Sequence, residues 1–108
     1  MRAIHLAQLD KVRPAVIITR EVARPHLNRV TVVPVTSRIR GLSTEIRLGR
    51  LNGLDHDSVA NCDGIATISV ADLGQQIGFL LDSQEDALTA AIHAAFDLDS
   101  HDLAPRGG

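Results

Sequence analysis

The sequence predicts a mainly β domain: a small curled antiparallel sheet or barrel with one helix packed on it. Three observations carry this. Two short β-branched runs, residues 14–19 and 30–37, have strand length and no helical periodicity. Gly, Pro and Asn turn signals recur at near-regular spacing up to about residue 80. Beyond them lies a single amphipathic helical pattern, with no further strand after it.

Each element follows from local chemistry. Residues 4–9 form the first expected strand, with Ile4, Leu6 and Leu9 inward, and residues 10–12 turn the chain. The second strand starts at Pro14, because proline gives no N–H to a ladder and suits a strand start or an edge. Residues 19–29, with Pro25, form a loop. In the third strand Val30, Val32 and Val35 point inward, and Pro34 marks a bulge or an edge because strict alternation fails there. Residues 37–41 make a basic turn, and residues 44–48 alternate polar and apolar as a fourth strand. Asn52-Gly53 is a turn signature. Residues 58–62 and 65–70 are two more strands, broken by Asp63-Gly64. Residues 72–80 read as a helical turn followed by a strand over 76–80. Ser83 then caps the helix, with Asp86 three residues later and Glu85 beside it favourable to the helix dipole. Its apolar face is Ala87, Leu88, Ala91, Ile92, Ala95 and Phe96. Residues 1–97 make one domain and 98–108 a solvated tail.

Composition narrows the class. At 108 residues and 44% hydrophobic content, one aliphatic core is expected. The single cysteine, Cys62, excludes an internal disulfide and an all-cysteine metal site, and fits a reducing cytoplasm. Arg2 is followed by no long apolar region, and Asp10 and Lys11 interrupt early, so neither a signal peptide nor a membrane span is expected. The five histidines do not pair at ligand spacing, so no metal or other cofactor is expected; His56, between Asp55 and Asp57, reads as a solvated turn. Cys62 sits on an apolar run and reads as a buried structural thiol.

Charge is sharply divided. Residues 1–50 hold 10 of the 11 Lys and Arg with only Asp10, Glu21 and Glu45 among the acids, whereas residues 51–108 hold Arg106 against 10 acids. Such a basic half suits a polyanion, unless the halves pack together and the charges decorate separate faces. Arg20, Arg24, Arg29, Arg38, Arg40, Arg47 and Arg50 are available to track phosphates. With only Phe79 and Phe96 as large aromatics, no base-stacking platform is evident.

Four polar groups suggest chemistry: Arg13, Thr36, Ser37 and Asp63. Arg13 opens one β-branched run and Thr36-Ser37 closes the next, so antiparallel pairing brings guanidinium and hydroxyl together. RNA is cut without metal if one group helps remove the 2′-OH proton, a cation stabilises the phosphorane, and a third aids the leaving 5′-oxygen. Arginine suits the second job because its planar fork matches phosphate oxygens. Thr36 and Ser37 can bond a non-bridging oxygen or the 2′-OH, and Asp63 can orient the nucleophile. Against this, Arg13 can simply pair with Asp10, and Thr36 can simply end a strand.

Taken in order, Arg13-Pro14-Ala15-Val16-Ile17-Ile18, Asn28-Arg29-Val30-Thr31, Val33-Pro34-Val35-Thr36-Ser37, Gly41-Leu42-Ser43-Thr44-Glu45, Ser58-Val59, Cys62-Asp63 and Thr67-Ile68 resemble the MazF/PemK family of toxin endoribonucleases. The resemblance implies a small SH3-like barrel, a homodimer, a cognate antitoxin, and metal-independent cleavage of single-stranded RNA to 2′,3′-cyclic phosphate and 5′-hydroxyl ends. It implies catalytic roles for Arg13 and Thr36; on the residues' own chemistry Arg13 is also a candidate proton donor and Asp63 a candidate to orient the nucleophile. The resemblance places Ser37 and Asp63 where related members contact substrate, and Arg38, Thr44 and Asn61 are further candidate substrate-binding residues. The chain departs from the family in a short first loop, Asp10 being followed almost at once by Arg13. Asn61, Gly64 and Ala66 stand where many members carry Arg, Gln and Arg. The rival readings are a non-nuclease toxin of the same fold, like the gyrase poisons, and a degenerate member that only binds antitoxin.

Overall fold

A computed structural model describes residues 1–98, so the tail expected over 98–108 lies, Leu98 apart, outside the described residues. Seven strands precede one helix: β1 Ala3–Gln8, β2 Val12–Ile17, β3 Arg29–Thr36, β4 Glu45–Leu48, β5 Ser58–Asn61, β6 Ala66–Ser69, β7 Leu73–Phe79 and α1 Asp82–Ala95. Every pairing is antiparallel, and the order is β4-β5-β3-β2-β1-β7 with β6 also on β3. The architecture is mainly β, an SH3-like curl left open between β4 and β7.

β3 organises the sheet. One edge takes β2. The other takes β6 along Arg29 to Val32 and β5 along Val35 and Thr36. Pro34 sits at the change of partner, where a missing N–H removes no bond of either ladder, so no bulge is needed. The 3₁₀ turn Cys62–Gly64 fills that gap. A Cβ on Gly64 would lie 2.8 Å from the Pro34 ring, so glycine permits the close approach.

The alternation in β3 does not fail; both faces are buried. Val33 and Val35 join Ile4, Val16, Ile46, Leu48, Leu80 and Leu88 in one cluster, while Val30 and Val32 join Ala3, Ala7, Ala15 and Ile17 in another. Leu9 packs at the margin of the second cluster as expected for an inward residue, and Leu6 is half-buried. β2 starts at Val12 rather than Pro14, because Val12 and Arg13 already pair with Gln8 and Ala7 of β1. Likewise a 3₁₀ turn at Val70–Asp72 leads into β7 at Leu73, three residues before the expected start.

The buried stripe of α1 is Leu88 and Ala91 flanked by Ile92 and Ala95; Ala87 and Phe96 are exposed. The cap also differs. The helix begins at Asp82, and Gln84 Oε1 accepts the Leu81 N–H at 2.8 Å, displacing Ser83 from the capping role. Gln84 is held there because it also meets Asn52, whose amide is 1% exposed. Asn52 Nδ2 donates to the Phe79 carbonyl at 2.9 Å and to Gln84 Oε1 at 2.7 Å, and its Oδ1 accepts the Gly49 N–H at 3.1 Å. This lock joins the Arg50–Asn52 turn to β7 and α1. Gly53, at φ +87°, and Gly78 make it possible, since a Cβ on Gly78 would fall 1.8 Å from the Asn52 carbonyl oxygen.

Candidate active site

The β2–β3 ladder runs Ile17↔Val32, Val16↔Val33, Ala15↔Pro34 and ends there. Continuing its register two residues sets Arg13 across from Thr36. The two strands present these side chains at the open end of the sheet, where they line two adjoining cavities of about 410 and 450 Å³. The first cavity adds Asp10, Arg38, Arg40, Glu45 and Asn61. The second adds Lys11, Ser37, Asp55 and His56 over a partly apolar wall.

Arg13 is gripped from one side. Its Nε–H and one Nη2–H donate to the two carboxylate oxygens of Asp10, each at 2.8 Å. A guanidinium has five N–H donors, so two remain on Nη1 and one on Nη2, aimed elsewhere. That hydrogen bond holds the Asp10 carboxyl well below the usual carboxylate range, and raises the Arg13 pKa further. Arg13 therefore stays charged, which suits it to electrostatic stabilisation. Thr36 Oγ1 accepts the Arg38 N–H at 3.2 Å, so its hydroxyl hydrogen is free to donate.

The other expected site residues divide. Ser37 and Arg38 are exposed on the cavity walls, and Asn61 lines the first cavity while its Oδ1 accepts the Asp63 N–H at 3.0 Å. Asp63 and Thr44 line neither cavity. They bond each other, Thr44 Oγ1 donating to Asp63 Oδ2 at 2.8 Å, with Thr44 only 9% exposed.

Sequence reasoning did not single out Asp10, Glu45 or His56 as part of the site, and named Arg40 only among the arginines available to track phosphates. Glu45 Oε1 accepts three backbone N–H groups, from Arg40 at 3.1 Å, Gly41 at 2.8 Å and Leu42 at 3.2 Å, and so folds the basic turn over the cavity. Its spacing, a carboxylate three to five residues after a Gly-containing turn, was a readable signal. Asp10 pairs with Arg13, and Glu45 bonds only neutral backbone N–H groups. Three guanidinium groups against two carboxylates leave the first cavity a formal charge of +1, with Arg38 and Arg40 unpaired with a carboxylate among the described residues. A further cavity, of about 360 Å³ near the N-terminus, is lined by Arg2, Arg20 and Arg24 but also by Glu21, Asp82 and Glu85; Arg2 there is spent on Glu85 and two carbonyls.

Among the described residues, no group of three or more His, Cys, Asp or Glu side chains is placed to hold a metal ion. No helix among them is long and apolar enough to cross a membrane. Cys62 is buried, and its thiol is pushed up to about 11, first by burial and then by Asp63.

A family profile described as a PemK-like, MazF-like toxin of type II toxin-antitoxin systems matches residues 4–96, nearly the whole described chain. The chain belongs to the PemK/MazF toxin family. It is 61% identical over 99 residues to endoribonuclease MazF3 of Mycobacterium tuberculosis, covering 92% of this chain and 96% of that one. A second relative from that species, probable endoribonuclease MazF5, is 36% identical over 94 residues, 86% of this chain and 85% of the other. The solved structure of the Mycobacterium tuberculosis toxin MazF-mt6 superposes with a TM-score of 0.89 at 60% identity, covering 91% of this chain and 99% of that chain. In this PemK/MazF member, Arg13 and Thr36 stand on the wall that the two cavities share.

Proposed function

We propose that the chain is a metal-independent endoribonuclease toxin that cuts single-stranded RNA by attack of the 2′-OH on the adjacent phosphate. The O2′–P bond forms as the P–O5′ bond breaks, with solvent taking the 2′-OH proton and supplying one to the departing 5′-oxygen. The observation that carries this is the opposition of Arg13 and Thr36 across the open end of β2 and β3. The substrate phosphate binds between them. The three free guanidinium N–H groups of Arg13 take the non-bridging oxygens and stabilise the charge that grows in the phosphorane. The Thr36 hydroxyl donates to one of those oxygens and fixes the phosphate against the guanidinium. Asp10 is a positioning residue, orienting Arg13 without touching RNA. Asp63 also acts at a distance, through Thr44 and the Asn61 turn. Ser37, Arg38 and Asn61 hold the strand on either side.

The relatives' names as endoribonucleases support this activity, and the family description supports neutralisation by a cognate antitoxin. An acidic antitoxin segment laid over Arg13, Arg38 and Arg40 would block the cleft. The protein acts as a homodimer in the cytoplasm, where its RNA substrate lies. RNA rather than DNA is the substrate because only RNA carries the internal nucleophile.

Cleavage of a single-stranded RNA panel in EDTA tests the reading. Products with 2′,3′-cyclic phosphate and 5′-hydroxyl ends are expected, and a single deoxyribose at the scissile nucleotide should stop the cut. Equal cutting of that deoxy substrate rules the mechanism out.

A further inference from the structure

Arg13 and Thr36 form a wall shared by two cavities, and phosphate binding accounts for only one of them. The first is cationic, with Arg38 and Arg40. The second is different: Leu54 and Ile77 make an apolar floor, and Lys11, Ser37, Asp55 and His56 surround it. A phosphate held on the shared wall leaves a neighbouring nucleotide on each side. We propose that the second cavity is a base subsite for one of these neighbours, with the His56 imidazole as its stacking face and the Asp55 carboxylate accepting a base N–H. This rests on the RNA-binding reading above and deepens it.

Several observations favour this. The chain has no Trp or Tyr, and neither Phe79 nor Phe96 lines either cavity. Among the described residues His56 is the only aromatic ring on the walls of the two, and imidazole is among the rings on which unpaired RNA bases stack. Its backbone is pinned: Ser58 Oγ, in a residue 5% exposed, donates to the His56 carbonyl at 3.2 Å, and Leu54 beside it is buried. A cavity of about 450 Å³ with an apolar floor and a polar, charged rim can seat a flat heteroaromatic group that has hydrogen-bonding edges. Lys11 and Arg13 face His56 from the β1–β2 hairpin and Asp55 from its own loop, so cation, carboxylate and ring converge on one space.

The test uses the full chain and an uncleavable probe: a single-stranded 2′-O-methyl RNA selected for binding from a random pool. Each position in turn is made abasic, and affinity is measured by fluorescence anisotropy. One position is expected where base removal weakens the wild type about tenfold. His56→Ala should bind the intact probe several-fold more weakly and lose markedly less than the wild type when that base is removed, with the remaining base dependence lost in the double variant His56→Ala, Asp55→Ala. His56→Phe should recover the base dependence. Equal cost of base removal in wild type and His56→Ala at every position overturns the subsite. Cleavage of the matching all-ribose RNA by the wild type is scored separately. A protein that binds with this base dependence but does not cut loses the nuclease reading and keeps the subsite.

Discussion

The Asn52 lock and the Arg13 wall are both polar clusters, and they differ in what is left over. At Asn52 both amide donors and the carbonyl oxygen are engaged, inside a residue 1% exposed. At Arg13 a carboxylate takes two N–H groups and leaves three, on a side chain 25% exposed beside an open cavity. A polar group with every bond made serves the fold. One held rigid with donors to spare, next to a space, is prepared for a ligand.

The contrast predicts opposite mutant behaviour. Arg13→Ala should lower single-turnover cleavage about 1,000-fold while the melting temperature barely moves, because a surface pair contributes little stability. Asn52→Ala should do the reverse. It takes the Asn52 partner from the Phe79 carbonyl and the Gly49 N–H and leaves Gln84 only Leu81 and Arg47, and should cost about 3 kcal/mol in urea denaturation, with cleavage per folded molecule preserved.

Asp10 sharpens the comparison, since it positions rather than reacts. Asp10→Asn should lower kcat by roughly 10- to 100-fold by loosening the guanidinium. Its carboxyl is depressed in the folded state, chiefly by the Arg13 hydrogen bond. Any stability from the pair is therefore full above the ordinary carboxylate pKa of about 3.9 and is lost only as pH falls through the lowered value. The melting-temperature difference between wild type and Asp10→Asn should accordingly stay flat from about pH 5 to 8.

Glu45→Ala should release the Arg40, Gly41 and Leu42 N–H groups, at a cost of about 1 kcal/mol by denaturant melt. Cleavage should fall about tenfold as Arg38 and Arg40 lose their place. The smallest effect expected is at Cys62. With its thiol pushed up to about 11 in a buried site, iodoacetamide should label it at neutral pH only after unfolding.

Much of this was legible in the chain. The β-branched runs marked β2 and β3, and their polar ends marked Arg13 and Thr36, because strand pairing converts end residues into neighbours. What escaped depended on contacts distant in sequence. Gln84 caps α1 because Asn52, 32 residues away, fixes its amide. Pro14 lies inside β2 because β1 pairs beyond it. Asp63 turns to Thr44, whose strand neighbour is known only once β4 meets β5. His56 read as a solvated turn, since nothing local reveals that its loop borders the Arg13 wall.

The most direct measurement is a double-mutant cycle on Arg13→Ala and Thr36→Ala, read by single-turnover cleavage of one RNA in EDTA. If both groups hold the same phosphate, the second substitution should cost far less in the presence of the first than alone. Fully additive losses would mean the two side chains serve separate sites, and would contradict the shared wall on which the proposed chemistry stands.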